Sequence, residues 1–251
     1  MQNVVYCGDM RRLCGDARFY MCADLIFADP PYNIGLDYGD TYRDNKSLED
    51  FTNWLGQVID SIVWCCRPNA SIWIMMGEEY TDVLGNLLRS NGLVRRRLVV
   101  WYETFGTYLH NNFANCCRYL HYCTLSSSPK RFTFDSDSIK VSSHRQIAGD
   151  SRASPDGKIP DNLWTFPRVC GTHSGKRLGG PPNQLPQQLV DRAILACSKP
   201  GDVILDPFLG TGTTAYSCLS LGREFIGCEI NPDYVSSFCK QFPQPVVTLS
   251  L

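Results

Sequence analysis

Two short apolar runs in this chain each end on an aspartate followed by proline. Asp24-Leu25-Ile26-Phe27-Ala28 leads into Asp29-Pro30-Pro31-Tyr32, and Val203-Ile204-Leu205 leads into Asp206-Pro207-Phe208-Leu209-Gly210-Thr211-Gly212-Thr213-Thr214. Runs this short, stopped by turn residues, are the pattern of strands buried on both faces. The second run is followed by small residues opening a helix, the way a strand-turn-helix unit brings backbone close to a ligand. In open α/β sheets such ligands lie beyond the carboxyl ends of the strands. These features confine the chain to folds that deliver carboxylates, a tyrosine and a glycine turn to one edge of a sheet.

The rest of the sequence alternates in the same way. Strands are predicted at 4–7, 24–28, 71–76, 98–102, 118–125, 203–208 and 224–230, and helices at 48–66, 79–90, 184–197, 213–221 and after Asn231-Pro232. Residues 11–19 read as a short helix or loop. The helix at 48–66 carries Phe51, Trp54, Leu55, Val58, Ile59, Ile62 and Val63 at helical spacing and is stopped by Arg67-Pro68-Asn69. This alternation predicts an α/β fold with a doubly wound, mostly parallel sheet. The pattern dissolves across 126–161, which is rich in Ser, Asp, Lys, Arg and Gly and reads as an insertion, a loop or a small recognition element.

Bulk properties narrow the function. A net charge of −1 and an isoelectric point near 6.4 argue against a wholly basic nucleic-acid binder and leave room for a local basic face. No apolar run approaches the roughly 20 residues needed to span a bilayer. Met1-Gln2-Asn3-Val4 lacks the charged-then-apolar secretory pattern, so the chain reads as intracellular and cytoplasmic, with no membrane partner. The 13 cysteines are odd in number, and the adjacent pairs Cys65-Cys66 and Cys116-Cys117 lack metal-ligand spacing. They read as buried reduced thiols, and no metal is expected.

The chemistry follows from the two strand ends. An exocyclic amino group on a base or an amide is a poor nucleophile, because its lone pair is delocalised into the π-system. A carboxylate and a backbone carbonyl that accept its two N–H protons push the nitrogen toward tetrahedral geometry and free the pair. Asp29 and Pro30 are placed for that, Pro31 helps fix the backbone, and Tyr32 offers a flat face for a planar substrate. The glycine turn at Phe208–Gly212 suits many nucleotides, but Glu229 closes the next strand, where an acid in such folds accepts ribose hydroxyls.

With these residues the chain resembles the amino-methylating DNA methyltransferases that use S-adenosylmethionine, the N6-adenine/N4-cytosine family. It is most similar to the permuted group with the DPPY motif before the FxGxG motif. The likeness runs from Gly8-Asp9 through Asn231-Pro232-Asp233-Tyr234 and thins at 126–161. It implies one methyltransferase domain over 1–251, a circularly permuted Rossmann-like sheet of seven strands, and a target-recognition insertion at 126–180. It implies that Asp29, Pro30, Pro31 and Tyr32 hold the target amino group and a flipped base. Asp206, Phe208, Gly210 and Gly212 would line the methionine end of the cofactor and Glu229 its ribose; Asp9 would meet the adenine amino group. Thr211, Thr213 and Gln184 would add contacts. Relatives often carry His-Pro-Thr-Gln where this chain reads Pro181-Pro182-Asn183-Gln184, so the role of that histidine does not transfer.

The activity implied is methyl transfer to the exocyclic amino nitrogen of a base in double-stranded DNA. Asp29 tilts the choice to adenine N6, since cytosine-N4 relatives often have serine there. Cytosine N4, an RNA base, a protein glutamine amide and a catalytically silent DNA-binding subunit are the alternatives. Whether a restriction-modification partner accompanies the chain is left open. A buried amino nitrogen demands base flipping and a positive rim, for which Arg95, Arg96, Arg97, Lys130, Arg131, Arg145, Lys158, Arg168, Lys176 and Arg177 are candidates. The shortness of the insertion suggests a homodimer that completes the grip on DNA.

Overall fold

The structure, a computed structural model, describes residues 3–106, 110–127, 132–169 and 183–251. Its strands are β1 (Val4–Cys7), β2 (Ala23–Ala28), β3 (Cys66–Met76), β4 (Leu93–Tyr102), β5 (Cys117–Leu125), β6 (Leu163–Thr165), β7 (Val203–Asp206), β8 (Glu224–Glu229) and β9 (Val247–Ser250). The helices are α1 (Leu48–Cys65), α2 (Thr81–Ser90), α3 (His144–Ile147), α4 (Gln187–Cys197), α5 (Thr213–Leu221) and α6 (Pro232–Gln241). One sheet holds the strands in the order β6-β4-β5-β3-β2-β7-β8-β1-β9. All neighbours pair in parallel except β5, which is antiparallel to both β3 and β4.

The sheet has nine strands among the described residues, not the seven expected. The two extra ones, β6 and β9, are short edge strands with too few apolar residues to register as buried runs: Leu163 and Thr165 are exposed, as is every residue of β9. They gain their backbone partners from the sheet, β6 from β4 and β9 from β1.

Helices cover both faces. On one, Phe51, Leu55, Ile59 and Ile62 of α1 and Leu84 and Leu88 of α2 pack with Ile26, Ile72 and Ile74 of the sheet. On the other, Leu189, Val190, Ala193 and Ile194 of α4 pack with α5, α6 and Leu25, Phe27, Ile204 and Phe225. Helix starts follow local chemistry: Ser47 accepts the Asp50 N–H to begin α1, and Asn231 accepts the Asp233 N–H ahead of Pro232 to begin α6. The helix expected from Gln184 begins at Gln187, with Pro186 as its N-cap, so residues 183–185 lie outside it.

Two strands run longer than their sequence pattern. β3 begins at Cys66, ahead of Arg67-Pro68-Asn69, because the register slips between Ala23↔Cys66 and Leu25↔Ser71 and takes up the extra residues. β4 begins at Leu93 and carries Arg95, Arg96 and Arg97 within it. Arg95 and Arg97 pair with Cys123 and Tyr122, in the half of β4 away from its carboxyl end. The segment expected to be irregular is built onto the core: the Asp135 N–H donates to the Ala196 carbonyl at 2.7 Å, Ile139 packs beside α4, and Val141 bridges Lys158 before β6 joins the edge.

β2 and β7 are neighbours, Leu25 opposite Ile204 and Ile26 opposite Leu205. From β2 the chain goes by α1 to β3 on one side, and from β7 by α5 to β8 on the other, so a topological switch point lies between them. Among the described residues no helix is long and apolar enough to cross a membrane.

Candidate active site

Parallel strands aim their carboxyl ends at one edge, and the candidate residues collect there. A cavity of about 700 Å³ opens at the switch point. Asp29, Pro30, Pro31 and Tyr32 line it from the end of β2; Asp206, Phe208, Gly210, Thr211 and Thr213 line it from the turn after β7. Glu229 at the end of β8, Asp9 after β1 and Gln184 before α4 also line it. The two motifs, far apart in the chain, thus line one cavity from the ends of neighbouring strands.

Asp29 and Tyr32 are coupled directly: the Tyr32 hydroxyl donates to Asp29 Oδ1 at 2.5 Å. One side of the Tyr32 ring rests against Gly77, where a β-carbon would lie 3.5 Å from the ring. Burial pushes the Asp29 carboxyl up to about 6; the Tyr32 hydrogen bond and the Arg118 charge pull it down, and Glu103 pushes it up.

The facing wall is organised by Glu229. Its Oε2 accepts the Gly210 N–H at 2.9 Å and its Oε1 the Asn231 N–H at 2.8 Å, so one buried carboxylate ties the glycine turn to the start of α6. Burial raises its pKa despite those bonds. Asp206 is buried as well, accepts the Phe208 N–H at 3.0 Å, and is pushed up to about 7 by burial, with Asp29 and Glu229 as neighbouring like charges. Thr211 and Thr213 share a hydroxyl contact of 3.3 Å. Thr213 also donates to the Leu185 carbonyl at 3.5 Å, which fixes the stretch bearing Gln184 against the turn.

Two expected residues differ in detail. Gly212 does not line the cavity; it has φ +80°, and a β-carbon there would sit 2.3 Å from the Phe238 ring, so close packing of α6 behind the turn requires it. Asp9 lines the cavity, but its carboxylate already accepts the Arg11 N–H and pairs with the Arg11 guanidinium. Burial pushes Asp9 up, yet the bonds to Arg11 leave it below the usual carboxylate range.

Other residues at the same edge had been missed. Glu103, directly after β4, is a buried carboxylate, and Arg118, near the start of β5, lies with its Nε 3.4 Å from Glu103 Oε1. The Arg118 guanidinium sits 5.4 Å from the centroid of the Tyr32 ring. The strand-end rule applied to Val99-Val100-Trp101-Tyr102 would have found Glu103; nothing local to Arg118 reveals that β5 runs backwards and brings its start here. The loop at 33–46, whose stretch Gly35 to Lys46 is a candidate for contacts to the base, lines the cavity with Ile34, Leu36, Tyr38 and Tyr42. Buried Asp44 staples it, accepting the N–H groups of Asn33 at 2.9 Å, Ile34 at 3.2 Å and Leu36 at 2.9 Å.

Of the proposed phosphate-contact residues, Arg168 lines the cavity and Arg95, Arg96 and Arg97 do not. Lys130, Arg131, Lys176 and Arg177 lie outside the described residues. Arg43 and Lys46, from the loop after Tyr32, and Arg11 line the cavity as well. Among the described residues no group of three or more His, Cys, Asp or Glu is arranged to hold a metal ion, and the cysteines are free thiols.

Comparison with known proteins gives the family. A family model described as DNA methylase, of N6/N4 type, matches residues 23–240. The chain is 35% identical over 222 residues to the DNA adenine methyltransferase YhdJ of Escherichia coli K12, covering 84% of this chain and 73% of that protein. It is 34% identical over 217 residues to the type II methyltransferase M.HpaI of Haemophilus parainfluenzae, covering 84% of this chain and 65% of that protein. The chain therefore spans about two thirds to three quarters of these relatives' length. Among solved structures, the M1.HpyAVI–SAM complex superposes with a TM-score of 0.63 at 20% identity, covering 95% of this chain and 99% of that one, a likeness of fold. The matched family and the relatives together establish that the chain belongs to the N6/N4 DNA methylase family.

Proposed function

We propose that this protein is a DNA methyltransferase that transfers a methyl group from S-adenosylmethionine to the exocyclic amino nitrogen of a flipped base, adenine N6. The observation that carries this reading is the single cavity with Asp29 and Tyr32 on one wall and the Glu229-held glycine turn on the other. The name of the adenine-specific relative supports adenine over cytosine N4.

The cavity suits the cofactor on its own chemistry. Its volume is that of a ligand pocket, and Asp206 and Glu229 are carboxylates raised by burial, a state that a cationic ligand relieves. When bound, S-adenosylmethionine would supply an electrophilic methyl on a sulfonium centre. Asp206 and Glu229 would hold it, with Phe208, Gly210 and Thr211 at the turn, Thr213 and Gln184 beside them, and Asp9 at the adenine end. Across from it, Asp29 Oδ1 is oriented by Tyr32, and Oδ2 is the oxygen assigned to the amino group. The Pro30 carbonyl accepts the second amino proton. Above pH about 6 Asp29 is ionised and able to accept. Holding both reactants in line supplies much of the rate.

The finer organisation is read in the same light. The chain is circularly permuted, with the base-binding half first. In support, β1 pairs in parallel with β8, Val4 opposite Ile226 through Cys7 opposite Glu229, so the first strand extends the cofactor half. Without β6 and β9 the sheet is the seven-stranded core of the family reading. Residues 1–251 form one methyltransferase domain in which 126–180 contacts the target sequence. A homodimer on DNA completes the grip, and a monomeric sedimentation profile on DNA would count against it.

The test is incubation of double-stranded DNA with the protein and cofactor carrying a labelled methyl, followed by base-resolved mass spectrometry. Label on adenine N6 is expected; label on cytosine moves the specificity, and label confined to RNA or protein removes the reading. Asp29→Ala abolishes transfer with cofactor binding largely kept, whereas Glu229→Ala weakens cofactor binding first. Equal loss of affinity in both would overturn this division of the site.

A further inference from the structure

We propose that Arg118, held in place by Glu103, is a positioning residue that keeps Asp29 in the carboxylate form on the base-side wall of the cavity. The proposal deepens the methyltransferase reading and rests on it for the role of Asp29; the placement of the charges does not.

The geometry is specific. Among the described strands β5 alone is antiparallel to its neighbours, so Arg118 near its start reaches the same edge as the carboxyl ends of β2 and β4. Its guanidinium lies over the Tyr32 ring at 5.4 Å from the centroid, and the hydroxyl of that ring donates to Asp29. Glu103, its side chain only 5% exposed, takes Arg118 Nε at 3.4 Å on Oε1 and Arg168 Nη1 at 3.9 Å on Oε2.

Asp29 faces charged and titratable groups from every side of the cavity. Tyr32 comes from its own turn, Tyr38 from the stapled loop, Asp206 from β7, Glu103 from the end of β4 and Arg118 from β5. Among these described groups Arg118 is the cation; Arg11, Arg43, Lys46 and Arg168 line the same cavity. Burial and two neighbouring acids favour the protonated carboxyl, which cannot accept an amino proton, and Arg118 opposes them.

Glu103 explains why Arg118 acts at a distance. Guanidinium pairs readily with carboxylate through two parallel hydrogen bonds, and an unrestrained Arg118 would close on Asp29 and occupy the oxygens the amino group needs. A buried acid that engages the guanidinium holds the positive charge near Asp29 and off it. Arg168, from the segment after β6, adds a second positive charge 3.9 Å from the acid's other oxygen.

The experiment is a titration of the Asp29 carboxyl by carbon-13 NMR in the full chain labelled at aspartate, with Asp29→Asn identifying the resonance. The unaltered protein is expected to titrate near pH 6. Arg118→Gln moves the midpoint up by about one unit, Arg118→Lys returns most of that shift, and Glu103→Gln moves it down. A midpoint unmoved by Arg118→Gln, or moved in the same direction by Arg118→Gln and Glu103→Gln, overturns the proposal. Should Arg118→Gln not fold, an upward or absent shift in Glu103→Gln overturns it equally. The titration needs no turnover, so loss of the methyltransferase reading would show separately, as failure to label any DNA. Where transfer is measured, the acid limb of its pH profile shifts in the same directions, whereas a merely structural role lowers the plateau without moving the limb.

Discussion

Replacing Asp206 by asparagine should make the unliganded protein more stable, and only at the pH values where the aspartate is charged. Asp206 is 6% exposed, and burial raises its carboxyl from the ordinary 3.8 to about 7. Below pH about 4 the group is protonated in both folded and unfolded chains and contributes nothing. Between there and about 7 the unfolded chain gives up its proton first, so each upward step in pH favours unfolding; above 7 the whole penalty is present. At 1.36 kcal/mol per unit the separation corresponds to about 4 kcal/mol at pH 8 and about 2 kcal/mol at pH 5, as upper values, because Asp29 and Glu229 relax in concert. Asparagine is nearly isosteric, and its Oδ1 still accepts the Phe208 N–H. Urea denaturation at pH 5 and pH 8 measures the effect. Equal midpoints for the two proteins at pH 8, or a gain that does not grow between the two pH values, would refute the reasoning. The site would then be tolerating its buried carboxylate by some means other than waiting for a cationic ligand.

Three further outcomes follow from particular contacts. Binding of S-adenosylmethionine near pH 6.5 should release protons as Asp206 ionises beside a cation, read as an enthalpy that changes with the ionisation heat of the buffer; no buffer dependence would contradict the assignment. Gly212→Ala should destabilise by about 2 kcal/mol or more, since it combines φ +80° with a β-carbon 2.3 Å from the Phe238 ring, and an unchanged urea midpoint would show that α6 shifts freely. Asp44→Ala removes the acceptor of three backbone N–H groups in the loop at 33–46, so hydrogen exchange at Ile34 and Leu36 and proteolysis of that loop should rise.

What could be read from the sequence was whatever is encoded within one strand-turn-helix unit. Asp29 and Asp206 each follow their own apolar run, Asn231-Pro232 caps its own helix, and the glycine turn precedes its own helix, so local pattern located them without knowledge of the sheet. Strand extents failed where long-range pairing overrules composition. Arg95, Arg96 and Arg97 look like a charged run ahead of a strand, yet pairing of Arg95 and Arg97 with β5 holds the run in β4, with Arg96 at an irregularity between them, where it donates to Thr124 and stacks on Phe132. Pro68 looks like a stop, yet a register slip carries β3 past it. The edge strands β6 and β9 carry no buried face of their own for a pattern to report.

The same distinction separates Asp29 and Glu103 from Arg118. A parallel strand delivers its last residues to the ligand edge, so every acid after an apolar run is a candidate by a rule of local sequence, and Glu103 obeys it as Asp29 does. An antiparallel strand delivers its first residues there, and its direction is set by its neighbours alone. Arg118 therefore lies over the Tyr32 ring at this edge because β5 enters the sheet against β3 and β4. A reversed strand puts a basic residue where the parallel ones place acids, and among the described residues the guanidinium over the Tyr32 ring sits on a strand whose direction local pattern does not report.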